Sequence, residues 1–226
     1  MFLCTCREKI RKGNKIVGYV LSDINGKVYN VKSDELKEKI RNYEVLVDNL
    51  KLSVDGRLID KKIENLEVIC FHNPDEENAY LSNWYYSDFR VDNIKFTSME
   101  QYMMYSKAVL FKDIDIANEI LKTNDFKTIK SLGRQVRNFD DNIWDLNKES
   151  IIYKGLYAKF TQNEDLKEKL LSTNNKLLAE CAVNDKVWGI GLSMKDPDRL
   201  KPFKWKGKGL LGKLLMQVRE DIRFHK

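Results

Sequence analysis

TSMEQYMMYSKAVLFK, residues 97–112, is the stretch on which the reading of this chain turns. Ser98 followed by Gln101 has the form of a capping box, and Tyr102, Tyr105, Ala108 and Val109 recur at helical spacing. The pattern predicts a helix from the Ser98 cap to about Lys112. Glu100 and Lys107 stand seven residues apart on it, so two turns bring them onto one face about 10 Å apart along the axis, with Met104 between them. A carboxylate and an amine on one wall of a cleft suit proton transfer and nucleophilic attack. Spacing alone favours a plainer alternative, in which Glu100 complements the positive end of the helix and Lys107 is a solvated surface residue.

Outward from this helix the C-terminal two thirds read as mostly helical. Further helices are expected over Asp113 to Leu121, Phe126 to Leu132, Asp145 to Phe160, Asp165 to Ser172 and Leu210 to Phe224, with short strands at Val68 to Phe71 and Lys176 to Val183. Ser193 to Lys208, rich in Lys and Asp and holding Pro197 and Pro202, reads as an exposed loop. Towards the N-terminus the period changes to two. IVGYVLSDINGKVYNV (16–31) alternates around Asn25-Gly26 and LKLSVDGRLI (50–59) around Asp55-Gly56, each a hairpin signature, and between them Ser33 can cap a short helix to about Arg41. The expected fold is therefore α+β: a small ββαββ-like, β-rich module over 1–66, a charged seam at 60–67, and a mainly α-helical domain with a few short strands over 67–226.

The 226 residues, 42% hydrophobic, suffice for one good core and a second small module. No apolar run approaches a membrane span, and MFLCTCREKI turns charged too soon for a secretory signal, so a cytoplasmic location is the default expectation. Cys4, Cys6, Cys70 and Cys181 lack metal-site spacing and are read as free thiols. With only His72 and His225 present, histidine triads and multi-histidine metal sites are not expected, which moves catalysis onto carboxylates and lysines without metal or cofactor. The net charge of +6, from 40 basic and 34 acidic residues, suits a polyanionic partner without requiring one.

A second informative stretch is AECAVNDKVWGIGL, 179–192. Asp185 can be a turn former, Trp188 a core anchor, and Gly189 and Gly191 positions of positive φ. Alternatively the glycines let backbone amides approach a phosphate or ribose, Trp188 stacks on a base or sugar, and Asp185 binds or activates the reacting group. Arg134 after Gly133, and Lys206-Gly207-Lys208-Gly209 ahead of the last helix, offer phosphate ligands at a helix N-terminus. Trp144 can pack inward or form the lip of a pocket.

The order of these pieces resembles the NADAR superfamily, the YbiA-like proteins, over about residues 69–224. The resemblance is carried by LSNWY (81–85), TSMEQYMMYSKA (97–108), LGR (132–134), IWDLNKESIIYKGLYAKFTQN (143–163), LAECAVNDKVWGIG (178–191), GKGLLG (207–212) and LLMQVRE (214–220). It implies an enzyme hydrolysing N-glycosidic bonds to ribose, either in ribosylamine phosphate intermediates of the riboflavin pathway or in ADP-ribosylated guanine of nucleic acid. The positions carried over by resemblance are Glu100, Lys107 and Asp185 as catalytic and Trp144 and Trp188 as substrate-binding. Asn83, Arg134, Gly189, Gly191 and Gly207 complete the expected substrate-binding set. A toxin partner is compatible with the nucleic-acid role, and a non-catalytic ADP-ribose reader is the competing class. Two departures stand out. The family's histidine after the helix glutamate is Gln101 here, which removes an imidazole shuttle but leaves a side chain able to orient a substrate; the family's Gly-x-Asn-x-Leu-Gly turn has Gly209 in place of asparagine.

Overall fold

The computed structural model describes residues 2–23, 28–36, 45–48, 52–54, 57–59 and 67–224. The turns expected at Asn25-Gly26 and Asp55-Gly56, the helix beyond residue 36 and the seam at 60–66 lie outside them. The chain packs as two compact units, Met1–Cys70 with Lys176–Gln217, and Phe71–Asn175 with Val218–Lys226. Among the described residues no helix is long and apolar enough to cross a membrane.

In the first unit, β1 (Phe2–Lys12), β2 (Lys15–Asp23), β3 (Val28–Lys32), helical residues 33–36 (α1) and β4 (Val45–Asp48) build a sheet of order β3-β2-β1-β4. β2 and β3 pair antiparallel, as the alternation predicts, and the register sets Gly18 opposite Lys32 and Ser22 opposite Val28. The sequence reading did not anticipate β1. Its second half, from Arg7 to Lys12, is charged and solvent-facing, so period-two burial is missing there, and its pairing depends on Gly13 at φ 59° turning the chain into β2. β1 also pairs in parallel with β4, and Tyr19, Leu21 and Leu36 form a small apolar cluster. β5 (Leu52–Val54) and β6 (Arg57–Ile59) pair antiparallel, as expected for 50–59. β7 (Val68–Phe71) pairs with the later strand of residues 177–180.

The second unit opens on a hairpin that the helical reading missed. β8 (Phe89–Val91) and β9 (Ile94–Phe96) are joined through Asp92 and Asn93, both at positive φ, the conformation a two-residue hairpin turn needs. Then come α2 (Met99–Leu110), α3 (Ile114–Leu121), α4 (Phe126–Arg134), α5 (Asp141–Gln162) and α6 (Glu164–Ser172). Ser98, Asp113, Asp125 and Asp140 cap the first four of these with side-chain oxygens. α5 starts four residues before the expected Asp145, because Asp140 Oδ1 accepts from Asn142 N and Ile143 N and so caps an extra first turn. α2 packs on α3, α4 and α5 over Ala108, Phe111, Ala117, Ile120, Ile129 and Val136. Gly155 lets α5 cross α2, since a Cβ there would strike the Tyr102 ring.

The chain re-enters the first unit at β10 (Leu177–Glu180), runs through 181–209 and ends in α7 (Leu210–Phe224), which is shared between the two units. The stretch Ser193 to Lys208 is not simply exposed. Trp205 is buried and its Nε1 donates to Arg199 O at 2.8 Å, which pins two 3-10 turns at Pro197–Leu200 and Pro202–Lys204.

Candidate functional site

The expected site residues fall into two groups, one in each unit. In the first group Ser98 Oγ accepts from Gln101 N at 3.2 Å and starts α2. Glu100, the second residue of the helix, is 2% exposed, and its amide donates to Asn83 O at 2.9 Å. A carboxylate buried in the first turn gains from the helix dipole. Asn83 is itself buried, and its Oδ1 has no hydrogen-bond partner among the described residues, so a buried acceptor stands beside the residue that anchors Glu100.

Gln101 is not free to orient a substrate. Its Oε1 accepts from Thr97 N at 2.9 Å and lies 3.2 Å from the Thr97 hydroxyl, while Nε2 donates to Ile120 O (3.2 Å) and Thr123 O (2.9 Å). Both its amide hydrogens and its oxygen are engaged in tying the start of α2 to the end of α3.

Lys107 is half-buried, contrary to the solvated alternative. Its Nζ donates to Gly133 O at 2.8 Å and lies 4.1 Å from the centre of the Phe139 ring. Burial lowers its pKa from the ordinary lysine value, and the Asp141 carboxylate works in the opposite direction. Gly133 favours this: a Cβ there would collide with the Met104 side chain in its present position, so glycine lets α4 close on α2 with Met104 where it is. Arg134, next in the chain, is exposed. Trp144 sits half-buried against the edge of the helical core, in the first turn of α5.

Lys159 carries no weight in the sequence reading, yet it is fully buried. Its Nζ donates to Tyr80 O (2.7 Å) and Ser82 O (3.3 Å), bracing the segment that delivers Asn83 to Glu100. The signal lay in the helical spacing, since Ile152, Gly155 and Leu156, seven, four and three residues before it, set Lys159 on an apolar face with little access to water. Burial pushes its pKa down to about 7, and a neutral amine has two N–H bonds for the two carbonyls. Between about 7 and the ordinary 10.5 the unfolded chain therefore holds the extra proton, and the stability contributed by Lys159 rises with pH across that window. Lys159→Met takes the partner from Tyr80 O and leaves Ser82 O with the Tyr85 amide alone, and is expected to lose about 2 kcal/mol at about pH 9. In urea titrations the gap to the unsubstituted protein should narrow towards neutral pH; an unchanged gap would mean that Lys159 stays charged.

In the second group Asp185 makes a turn. Its Oδ1 accepts from Val187 N (2.9 Å) and Trp188 N (2.8 Å), and Trp188 is buried, 9% exposed. Lys208 N donates to Lys186 O, Gly209 N to Gly189 O, Leu210 N to Val187 O and Leu211 N to Trp188 O. Of the amides that open α7, those of Leu210 and Leu211 are thus satisfied by the Val187 and Trp188 carbonyls, and Lys213 N donates to Gly209 O. These three are not available to a phosphate. The glycines serve the same pairing: a Cβ on Gly207 would collide with Gly189 O, one on Gly189 would lie 2.8 Å from Asp185 O, and Gly191 has φ 70°.

Comparison with known proteins bears on the whole of this region. The family model described as NADAR domain matches residues 70–223. N-glycosidase R617 of Acanthamoeba polyphaga mimivirus is 39% identical over 167 residues, 70% of this chain and 98% of that protein. A riboflavin biosynthesis protein of Vibrio vulnificus is 27% identical over 70% of this chain, which spans only 40% of its length. The NMR structure of Escherichia coli YbiA, a protein named as an N-glycosidase, superposes with a TM-score of 0.59 at 28% identity, covering 70% of this chain and 86% of that one.

Proposed function

The chain belongs to the NADAR domain family, and on that premise we propose that it hydrolyses the bond between a ribose C1 and an amine nitrogen. The observation that carries this reading is the state of Lys107: half-buried, held by a carbonyl and a ring face, with its pKa lowered, and on one stripe of α2 with the buried Glu100. An amine that loses its proton more easily than an ordinary lysine is a nucleophile.

In the proposed sequence the ribosyl amine opens to an imine. The Nζ lone pair of Lys107 adds to C1, the amine nitrogen takes a proton and departs with the C1–N electrons, and a Schiff base joins Lys107 to C1. Water then adds to C1, and loss of Lys107 as the free amine releases the sugar as its aldehyde, which closes to the ring form. In this proposal Glu100 moves the protons of these steps, and Asn83 Oδ1 accepts from a ribose hydroxyl. The competing course has no covalent step: a carboxylate activates water against an oxocarbenium-like C1.

We assign the substrate as guanine-linked ADP-ribose in nucleic acid, a choice supported by the family resemblance and the +6 net charge. The Vibrio vulnificus relative's name favours a ribosylamine phosphate of the riboflavin pathway as the second reading. Release of ADP-ribose from a guanine-ADP-ribosylated oligonucleotide, run beside the ribosylamine phosphate, separates them: cleavage of the oligonucleotide supports the first and cleavage of the phosphate alone the second. If neither is cut while ADP-ribose binds, the chain is a reader. The pH profile is a further check. Activity should rise with pH as Lys107 deprotonates, and Asp141→Asn, which removes the charge that holds the proton, should move that rise to lower pH.

A further inference from the structure

The second unit carries an aromatic and basic surface beyond the helix stripe of Glu100 and Lys107, of which Trp84 and Arg134 lie in the sequence motifs and Tyr86, Phe126, Lys127 and Lys130 do not. Trp84 and Phe126 are stacked, with ring centres 5.5 Å apart and planes 13° from parallel, and Tyr86 continues the contact at 4.5 Å from Phe126. Tyr86 is 57% exposed, yet its hydroxyl donates to Asn124 O at 2.9 Å, so the ring is held in place while it faces solvent. An exposed ring fixed in this way has already lost its rotamer freedom.

Alongside runs the outer face of α4. Lys127, Lys130 and Arg134 share one stripe at i, i+3 and i+7, all three are exposed, and none has an ion-pair partner among the described residues. Lys130 Nζ lies 5.5 Å from the Trp84 ring centre, which joins the charge to the stack. The acid next to the stripe, Asp125, is committed to the Thr128 amide and hydroxyl. An exposed ring on which a base can stack, Tyr86, backed by the packed Phe126 and Trp84 rings and flanked by cations spaced along a helix, is what an unpaired nucleic-acid strand requires; an acidic peptide would use the cations and leave the ring idle.

The surface is also connected to the site. Trp84 follows Asn83, whose carbonyl holds the Glu100 amide, and the same α4 supplies the Gly133 carbonyl that holds Lys107. We infer that Tyr86, Trp84 and Phe126 with the Lys127–Lys130 face of α4 form a docking surface for a single-stranded segment of nucleic acid flanking the modified base. This inference rests on the nucleic-acid reading of the substrate given above.

The test uses the full chain and an unmodified, fluorescently labelled single-stranded oligonucleotide, so that binding is read independently of hydrolysis. Anisotropy titrations should show salt-dependent binding, tighter for the single strand than for a duplex of the same sequence. Lys127→Glu with Lys130→Glu should weaken it about tenfold or more and lower the slope of log affinity against log salt by about 1.4. Tyr86→Ala should weaken it by about tenfold while leaving that slope unchanged. Hydrolysis of a mononucleotide substrate, ADP-ribosylated guanosine, should be the same in all three proteins, while turnover on the oligonucleotide falls. Variants that bind the oligonucleotide like the original chain, an equal preference for duplex, or equally effective competition by poly-glutamate would overturn the docking surface. Loss of hydrolysis with binding behaving as described would instead count against the glycosidase reading alone.

Discussion

Lys107→Met is expected to abolish turnover, with kcat down by about a thousandfold or more, while the protein keeps its fold. Methionine matches the length and apolar stem of lysine, and the site loses one hydrogen bond to Gly133 O, a change of about 1 kcal/mol. The discriminating companion is Lys107→Arg. Arginine retains the cation, a donor for Gly133 O and the contact with Phe139, but it does not deprotonate near neutral pH. A nucleophilic role makes both variants equally inactive. If the arginine variant keeps a tenth or more of the activity, Lys107 acts by charge alone and the direct-water course takes its place. Circular dichroism and urea titration of both variants check that the loss is chemical.

Gly212→Ala is expected to have the largest effect on stability, about 3 kcal/mol or more, enough to compromise folding of the first unit. Alanine normally favours a helix, and Gly212 lies inside α7, so local propensity predicts the opposite sign. Packing decides it: a Cβ at this position would run into Leu178 O of β10, a backbone atom that cannot turn aside. Gly209 provides the contrast. It has φ 59°, and a Cβ added there would meet its nearest heavy atom at 3.4 Å, so Gly209→Asn should be close to neutral, asparagine being the side chain that best tolerates the left-handed region. Thermal unfolding of the two variants measures both. A stable Gly212→Ala protein would mean that α7 lies farther from β10 than described.

The Gly209 contrast also explains one departure from the family pattern in physical terms. Where the family places asparagine, this chain has the other residue suited to positive φ, and the turn survives. Gln101, the other departure, is legible only in three dimensions. Sequence shows a capping-box residue, and the structure shows that its amide reaches Thr97, Ile120 and Thr123 together.

Periodicity located the helices well, because α2 to α7 each bury a stripe against neighbours, and the cap at Ser98 stood in the letters. It missed β1 and the β8–β9 hairpin, since strands with charged outer faces or only three residues leave no sustained alternation. The resemblance, and not spacing, singled out Glu100 and Lys107; the half-burial of Lys107 then follows from Gly133 and Phe139, which are distant in sequence. Lys159 went unread because its partners are the backbone carbonyls of Tyr80 and Ser82, and backbone acceptors have no letter of their own.

Borohydride reduction during turnover on guanine-ADP-ribosylated oligonucleotide, followed by peptide mass spectrometry, tests the central claim most directly. The account predicts a single reduced sugar adduct, located on Lys107 and absent from Lys107→Arg. Continued release of ADP-ribose with no adduct on any lysine would contradict it and leave hydrolysis to a carboxylate-activated water.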